Sequence, residues 1–430
     1  MYGPLTDYAA RPIHEPLHRF TLLLLTAALL GACTPAAAAS TSCRGDGSRP
    51  SCRVWTGKAV SVNDGDTIDV DIDGDGDGRK RGYQVRLAGV QAMELTRHHP
   101  VHARRRGECH GLEATARVEQ LIRSSRRRVR LTAQRASSRA GSRLARFVAI
   151  RKGGRWQDVG ELLMAEGHTL FLGSDVEPAW NHRYDLLGQQ AALRGIGLWN
   201  PDHCGAGPSA DVPLRIWAQW DPPGIDSEDI NGEWTKVRNL SAASSISLAG
   251  WWVRDSMLRR YRFPAGTMLA PGATLTLHTG SGRNTRDTFY WGLSVTLFPN
   301  VGPMHLGDGA YLFDPRGDLR ASMTYPCLVA CSDPDQGAVA VEADPRRESV
   351  LVRNVAARAV DLSDDLLAQH GSAFPFKAGT ELAPGEELRI DLRADFGLSR
   401  PIMRDAGGSI SVTTFRGIVL ACDAWGGGRC

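Results

Sequence analysis

Apolar and polar positions change period repeatedly along the chain. From Val54 to Val70 they alternate, rich in Val and Thr, as in half-buried strands. Asp71–Lys80 (DIDGDGDGRK) reads as a turn, and Gln84–Val90 as another strand. Gly111–Ile122 (GLEATARVEQLI) switches to helical spacing, as do Val159–Glu166 and Tyr184–Arg194. Val129–Leu131 and Phe147–Ile150 return to strand. Strands first, with helices interleaved and closing, predict a small β-barrel with three helices over residues 53–205. Residues 206–226, with Pro213, Pro222 and Pro223, read as a linker. Beyond them the pattern is short strands between Gly/Pro turns, with almost no helical period.

That second half repeats itself. AGTMLAPG at Ala265–Gly272 and AGTELAPG at Ala378–Gly385 agree at seven of eight positions, and VRN precedes each, at Val237–Asn239 and Val352–Asn354. Nearly equal spacing predicts two homologous sandwiches, over residues 227–327 and 335–430. Short strands at this density suggest immunoglobulin-like folds. The expected class is therefore multidomain: an OB-fold β-barrel with three helices (α+β), then two immunoglobulin-like β-sandwiches. The OB barrel is a shape whose faces suit nucleic-acid strands.

The N-terminus changes the picture from cytoplasmic to exported. Thr21–Leu30 is an apolar run after Arg19, short for a bilayer span and of signal-peptide length. It ends in Leu30-Gly31-Ala32-Cys33, the form of a lipobox, so residues 1–33 read as a signal peptide whose Cys33 becomes lipidated. Cleavage within Ala36–Ala39, giving a free secreted protein, is the other reading. Residues 34–52 read as a flexible tether. The expected location is the outer face of the cell membrane, or the medium.

Export makes disulfides the natural use of the eight remaining cysteines. Proximity pairs Cys43 with Cys52, Cys327 with Cys331 and Cys422 with Cys430, leaving Cys109 with Cys204. A zinc site is the weaker alternative, since no paired CxxC knuckles occur and few histidines lie nearby in sequence.

Net charge is only +4, yet Arg97–Arg155 holds 17 Lys and Arg against three Glu. That imbalance suits a polyanion such as nucleic acid, with Arg104, Arg105 and Arg143 as candidate contacts, or else a solvated arginine face. Five elements inside and around this stretch have the chemistry for phosphodiester hydrolysis, which needs a neutralised phosphate, an activated water and a stabilised leaving oxygen. They are Asp64-Gly65-Asp66-Thr67, then Val85-Arg86-Leu87-Ala88-Gly89-Val90-Gln91-Ala92-Met93-Glu94, then Arg146-Phe147-Val148-Ala149-Ile150, then Val159-Gly160-Glu161-Leu162-Leu163, and finally Gly195-Ile196-Gly197-Leu198-Trp199.

In this order and spacing the elements resemble the staphylococcal-nuclease (thermonuclease) family. The resemblance implies a calcium-dependent enzyme cleaving DNA and RNA. It implies Asp66 as a Ca2+ ligand with Asp64 beside the metal, and Ala92 offering its backbone carbonyl. It implies Arg86 and Arg146 as grips on the scissile phosphate, with Arg143 the alternative for the second, and Glu94 as general base. Three positions depart from the family pattern. Gln91 stands where the family has a second metal-binding aspartate, which lowers the charge offered to calcium; Met93 stands for its proline, and Leu144-Ala145-Arg146 for its Tyr-Gly-Arg. Asp69, Asp71, Asp73, Asp75 and Asp77, spaced by glycines, form half a calcium loop without the closing glutamate, and read as a second calcium site or a solvated turn.

The sandwiches resemble the lamin-tail family: Gly232-Glu233-Trp234-Thr235-Lys236-Val237-Arg238-Asn239, then Leu248-Ala249-Gly250-Trp251, then Phe263-Pro264-Ala265-Gly266-Thr267. The second copy is degenerate and lacks the tryptophans. This implies binding or envelope attachment rather than catalysis. The expectation is a monomeric exported nuclease. The alternatives are a catalytically weakened nucleic-acid-binding envelope lipoprotein, and a structural lipoprotein without nucleic-acid affinity.

Overall fold

The computed structural model describes residues 40–44, 50–75, 82–95, 107–205, 207, 211–222, 225–257, 259–369, 372–377 and 379–430. Cys33, Arg104, Arg105 and Asp77 lie outside the described residues.

The barrel closes because one long strand serves two neighbours. Strand β1 (Ser40–Ser42) leads into β2 (Ser51–Val62). Residues Arg53–Lys58 of β2 pair with β6 (Arg128–Ala133), while Gly57–Val62 pair with β3 (Thr67–Ile72). The two registers overlap at Gly57 and Lys58, and at Gly57 a Cβ would lie 2.5 Å from the Asp71 carbonyl oxygen, so only glycine allows the strands to approach. A bulge between Ala59 and Ser61 bends the strand onward. β4 (Tyr83–Leu87) pairs with β3 and, in parallel, with β8 (Arg143–Lys152), and β8 pairs with β6. The order β2-β3-β4-β8-β6 returns to β2, a closed five-stranded barrel.

Alternation then decides what fills it. Ile68, Val70, Val85, Leu87, Leu131, Val148 and Ile150 turn inward and are buried. The short strand β5 (Val90–Ala92) leaves the barrel and pairs with β10 (Thr169–Phe171). Between them come α1 (Gly111–Ser124), β7 (Arg139–Ala140), β9 (Arg155–Asp158) and α2 (Val159–Ala165), and α3 (Asn181–Arg194) follows. Asp158 caps α2 by accepting from the Glu161 N–H (2.8 Å) and also accepts from the Tyr184 hydroxyl of α3 (2.5 Å). Burial pushes its carboxyl up to about 7.

Two sequence expectations change. Ser40–Ser42 and Ser51–Arg53 form a ladder, and the buried Cys43–Cys52 disulfide joins the barrel core, so the C-terminal part of the 34–52 tether is folded. The 206–226 linker contains a strand, Leu214–Gln219, paired with Trp234–Asn239; Ile216, Trp217 and Ala218 are buried there, an apolar stretch that the flanking prolines mask in sequence. The other disulfides are Cys109–Cys204, Cys327–Cys331 and Cys422–Cys430.

The rest is a set of sheets consistent with immunoglobulin-like domains. In the first, Leu214–Gln219, Trp234–Asn239, Thr274–His278 and Thr288–Tyr290 form one sheet, and Arg260–Arg262, Trp252–Arg254, Asp308–Phe313 and Leu319–Tyr325 the other. In the second, Val339–Asp344, Ser349–Asn354 and Glu387–Asp391 face Ser372–Pro375, Leu366–Gln369, Gly408–Thr413 and Val419–Trp425, around one apolar core. A short helix, Leu392–Phe396, was invisible to periodicity because it is barely more than one turn. Among the described residues no helix is long and apolar enough to cross a membrane.

The repeat has a physical meaning. Asn239 donates to the carbonyls of Ser244 (2.7 Å) and Leu269 (3.2 Å) and accepts from the Ser241 N–H (3.0 Å). Asn354 donates to Arg358 (2.7 Å) and Leu382 (2.8 Å) and accepts from the Ala356 N–H (2.8 Å). Six residues earlier, buried Glu233 accepts from the Leu297 and Phe298 N–H groups, and Glu348 from those of Ile402 and Met403. Each asparagine pins the strand to the LAPG turn, so the second sandwich keeps the staples though not the tryptophans.

The barrel and first sandwich share a core. Met93, Leu170, Ala191, Leu198 and Trp199 pack with Trp252, Tyr311, Phe313 and Leu319. Polar ties border it: the Cys204 N–H donates to Asp318 (2.6 Å), Arg320 to the Pro201 carbonyl (2.5 Å), and Gln189 to the Pro326 carbonyl (2.8 Å).

Replacing either staple asparagine strips two carbonyls and an N–H of a buried partner. Asn239→Ala and Asn354→Ala are each expected to cost about 1–3 kcal/mol in urea unfolding. A neutral Asn354→Ala beside a costly Asn239→Ala would show that the second copy is not stapled like the first.

Candidate functional site

The β2–β3 turn holds the two aspartates. Its Gly65 is required by space: a Cβ there would lie 2.7 Å from the Ala92 Cβ and 2.8 Å from that of Ala114 on α1. The turn is thereby pressed between β5 and α1, and the Asp66 N–H donates to Asp64 Oδ1 (2.9 Å). Asp66 is 2 % exposed. Its Oδ2 accepts from the Ala92 N–H (2.8 Å) and faces Arg86 Nη2 (3.1 Å), and its Oδ1 accepts from the Thr67 hydroxyl (3.0 Å).

Arg86 projects outward from β4, since Val85 and Leu87 on either side point into the core. Beyond Leu87 the chain reverses at Gly89 (φ 80°), whose missing side chain lets Tyr184 approach. The reversal folds β5 back beside the guanidinium. Arg86 Nη1 donates to the carbonyls of Leu87 and Val90 (2.7 Å each), and Nη2 to Gln91 Oε1 (2.7 Å). Gln91 Nε2 donates to the Ala92 carbonyl (3.0 Å) and faces Glu94 Oε1 (3.3 Å). Asp64, Asp66, Arg86, Gln91, Ala92 and Glu94 thus meet at one end of the barrel.

The second arginine separates from expectation. In the β4–β8 ladder Arg86 lies opposite Ala145, so Arg143, two residues from Ala145, shares the Arg86 face, whereas Arg146 does not. Arg143 Nη1 donates to the Thr67 hydroxyl (3.0 Å), the residue paired with Arg86 in the neighbouring strand. Arg146 turns the other way. It donates to the carbonyls of Ser138 (2.9 Å), Ala145 (2.7 Å) and Ala136 (2.7 Å) and stacks on Trp55. Burial lowers its guanidinium to about 10, opposed by Glu177. Arg146 is a structural anchor of the Ala136–Ser138 loop, and the arginine beside the acids is Arg143.

Electrostatically the site has an excess of acid. Burial, then the Asp66 charge, push Asp64 up to about 6. Burial, then Asp64, raise Glu94, opposed by Arg86, Arg254 and Arg143. The donors here are oxygens only: the carboxylates of Asp64, Asp66 and Glu94, the Gln91 amide and the Ala92 carbonyl. That set suits a hard divalent cation. Among the described residues of the neighbouring acidic run, Asp69 and Asp73 are engaged by other partners. Asp69 accepts from Ser61 (2.6 Å) and Asn63 (3.1 Å), and Asp73 from Thr56 (2.6 Å) while pairing with Arg128.

The sandwich reaches this site, which sequence alone does not reveal. Arg254, 1 % exposed, donates to Met93 Sδ (3.7 Å) and faces Glu108 (3.6 Å), and Arg260 pairs with the same glutamate. Glu108 in turn accepts from the Glu94 N–H (2.9 Å). A second cluster also escaped the sequence reading: His110, His168 and His203 meet beside the Cys109–Cys204 disulfide, despite lying far apart in the chain. The signal was the pair of dipeptides Cys109-His110 and His203-Cys204.

No curated protein matches the chain. The family comparison matches the first sandwich and does not extend over the barrel: residues 219–327 match the Lamin Tail Domain family.

Proposed function

We propose that the chain is an exported, metal-dependent phosphodiesterase acting on DNA or RNA, its barrel an OB-fold of staphylococcal-nuclease type and its second sandwich a degenerate lamin-tail domain. The observation that supports this is the meeting of Asp64, Asp66, Arg86, Glu94 and Arg143 at one end of the barrel, from three separate stretches of sequence. Asp64 and Asp66, with the Ala92 carbonyl, would hold Ca2+, which supplies charge neutralisation at the phosphate when bound. Arg86 and Arg143 supply guanidinium forks for the non-bridging oxygens and for charge that grows in the transition state. Glu94, its proton affinity raised by burial and by Asp64, takes the proton of the attacking water. Cys33 lipidation would keep the enzyme on the outer membrane face, and the sandwiches would hold substrate or an envelope ligand.

A binding-only reading has one observation in its favour. Arg86 already satisfies Asp66, Gln91 and two carbonyls, and Gln91 brings no charge to a metal. Such a protein would be a catalytically weakened nucleic-acid-binding envelope lipoprotein. Digestion of plasmid DNA and of RNA by the full chain, with Ca2+ or with EDTA, separates the two. Calcium-dependent cleavage is expected; nucleic acid shifted in a gel but never cut would support the binder. No affinity even at low salt, where phosphate contacts are strongest, would sink both.

The two arginines separate the site from the scaffold. Arg86→Ala and Arg143→Ala are expected to lower kcat/KM by roughly 100-fold or more. Arg146→Met should lower the melting temperature yet keep kcat/KM within a few-fold when assayed well below it. The reverse pattern for Arg143 and Arg146 would show that the wrong guanidinium faces the substrate.

Calcium should also act through Asp64. Between the ordinary carboxylate value and about 6, folded Asp64 keeps a proton that the unfolded chain has released. Its contribution therefore favours folding at low pH and is lost as pH rises through about 6. A bound cation offsets that loss. Millimolar Ca2+ is thus expected to raise the melting temperature more at pH 7.5 than at pH 5, and Asp64→Asn to remove the difference. An equal rise at both pH values would place calcium elsewhere.

A further inference from the structure

The Cys109–Cys204 disulfide joins two cysteines each of which adjoins a histidine, and so clamps His110 against His203 across 93 residues. We propose that His110, His203 and Glu113 form a site for a divalent transition-metal ion of the Zn2+ class, separate in chemistry from the all-oxygen site of the barrel.

The geometry is that of ligands facing one point. His110 Nδ1 lies 2.9 Å from His203 Nε2, and the ligand atoms of His110, Glu113 and His203 all lie within 4.8 Å of one another. Glu113 sits three residues after His110, on the first turn of α1, so both side chains share one face of the helix start. A tetrahedral Zn2+ with bonds of ~2.0–2.1 Å needs ligand atoms about 3.3 Å apart, within the reach of small side-chain rotations here. His110 is buried, whereas His203 and Glu113 are half-buried and leave a way in.

The proton order also fits. Arg117 grips Glu166 with two bonds of 2.6 Å, and Glu166 faces His168 Nε2 at 3.6 Å. The carboxylate favours a proton on that nitrogen, which leaves His168 Nδ1 as an acceptor. His110 Nε2 lies 2.9 Å from it and donates. The remaining nitrogen of His110, Nδ1, then has a lone pair aimed at His203. This is how ligating histidines are oriented: the far N–H is held by a second group, and the near nitrogen is fixed toward the metal. Burial and the two flanking imidazoles lower His110 to about 3, so its ring is neutral. The backbone of His110 sits at φ 69°, a conformation few side chains adopt, and the disulfide beside it holds it there. Two imidazoles and one carboxylate select Zn2+, Cu2+ or Ni2+ over Ca2+. The disulfide sulfurs are not thiolates and add no ligand.

The test uses the oxidised full chain, stripped with chelator and titrated with ZnCl2 by calorimetry in millimolar Ca2+. One equivalent is expected to bind with micromolar or tighter affinity. Co2+ in its place should give a visible d–d absorption that Zn2+ bleaches. His203→Ala and Glu113→Gln should weaken Zn2+ by at least 100-fold and about 10-fold. His168→Ala, which removes only the orienting partner, should weaken it by about 10-fold. His110→Asn, which tolerates the left-handed backbone, guards against loss through misfolding; an unchanged near-ultraviolet dichroism with lost binding supports the site. Asp66→Asn should keep the zinc. No binding by the native chain at about 100 μM Zn2+, or native affinity in both His203→Ala and His110→Asn, would overturn the assignment.

Discussion

The barrel site depends on one buried ion pair. Asp66 and Arg86 are both nearly inaccessible to water, and two such charges are stable there only if every remaining lone pair and N–H finds a partner. The chain meets that demand locally. Asp66 accepts from the Ala92 N–H and the Thr67 hydroxyl, and Arg86 donates to two carbonyls and the Gln91 amide oxygen. Those bonds tie the β2–β3 turn, the end of β4 and the whole of β5 into one piece. Burial raises both Asp64 and Glu94, the Asp66 charge adding to it at Asp64 and the Asp64 charge at Glu94, and Arg86, largely spent on Asp66, offsets it only in part. Under the proposed calcium reading, a bound cation would offset the cost of ionising them.

The lamin-tail domain is part of that support. Met93 lies between Ala92 and Glu94, and its side chain sits in the core shared with Trp252, Tyr311, Phe313 and Leu319 of the sandwich. A proline at this position could stiffen the loop by itself. A methionine cannot, but its flexible thioether fills the gap beneath the sandwich and meets the buried Arg254. The stiffness of the Glu94 loop is thereby moved from the local backbone to a neighbouring domain, and Glu108, gripped by Arg254 and Arg260, holds the Glu94 N–H from the same side. The resemblance of the sandwich to a binding module does not anticipate this role.

Much of this was legible in sequence because the signals are local. The three barrel helices fall where the period changes, the staple asparagines lie inside the repeated VRN, and the disulfides join the cysteines that spacing suggests. What was not legible depends on register or on distance. Arg143 and Arg146 are three apart on one strand, so they occupy opposite faces, and only the β4–β8 pairing says which face Arg86 shares. The strand Leu214–Gln219 hides between prolines because composition averages over it. His110, His168 and His203 come from an α1 cap, a β10 approach and the tail after α3, and no period links them.

Gln91 is where charge and geometry pull in opposite directions. An aspartate there would add a ligand charge, but its carboxylate would stand beside Asp66 and Glu94 with no N–H to give. The amide does both jobs: its oxygen takes the Arg86 fork, and its nitrogen reaches the Ala92 carbonyl and Glu94. It bridges a cation and an anion that a carboxylate would leave unequal. Under the proposed calcium reading the cost would fall on the metal, since the Ala92 carbonyl is already engaged and one anionic ligand is missing. On that reading the ion would be weakly held and would be completed by oxygens of the substrate phosphate. Cation and substrate affinity would then rise and fall together.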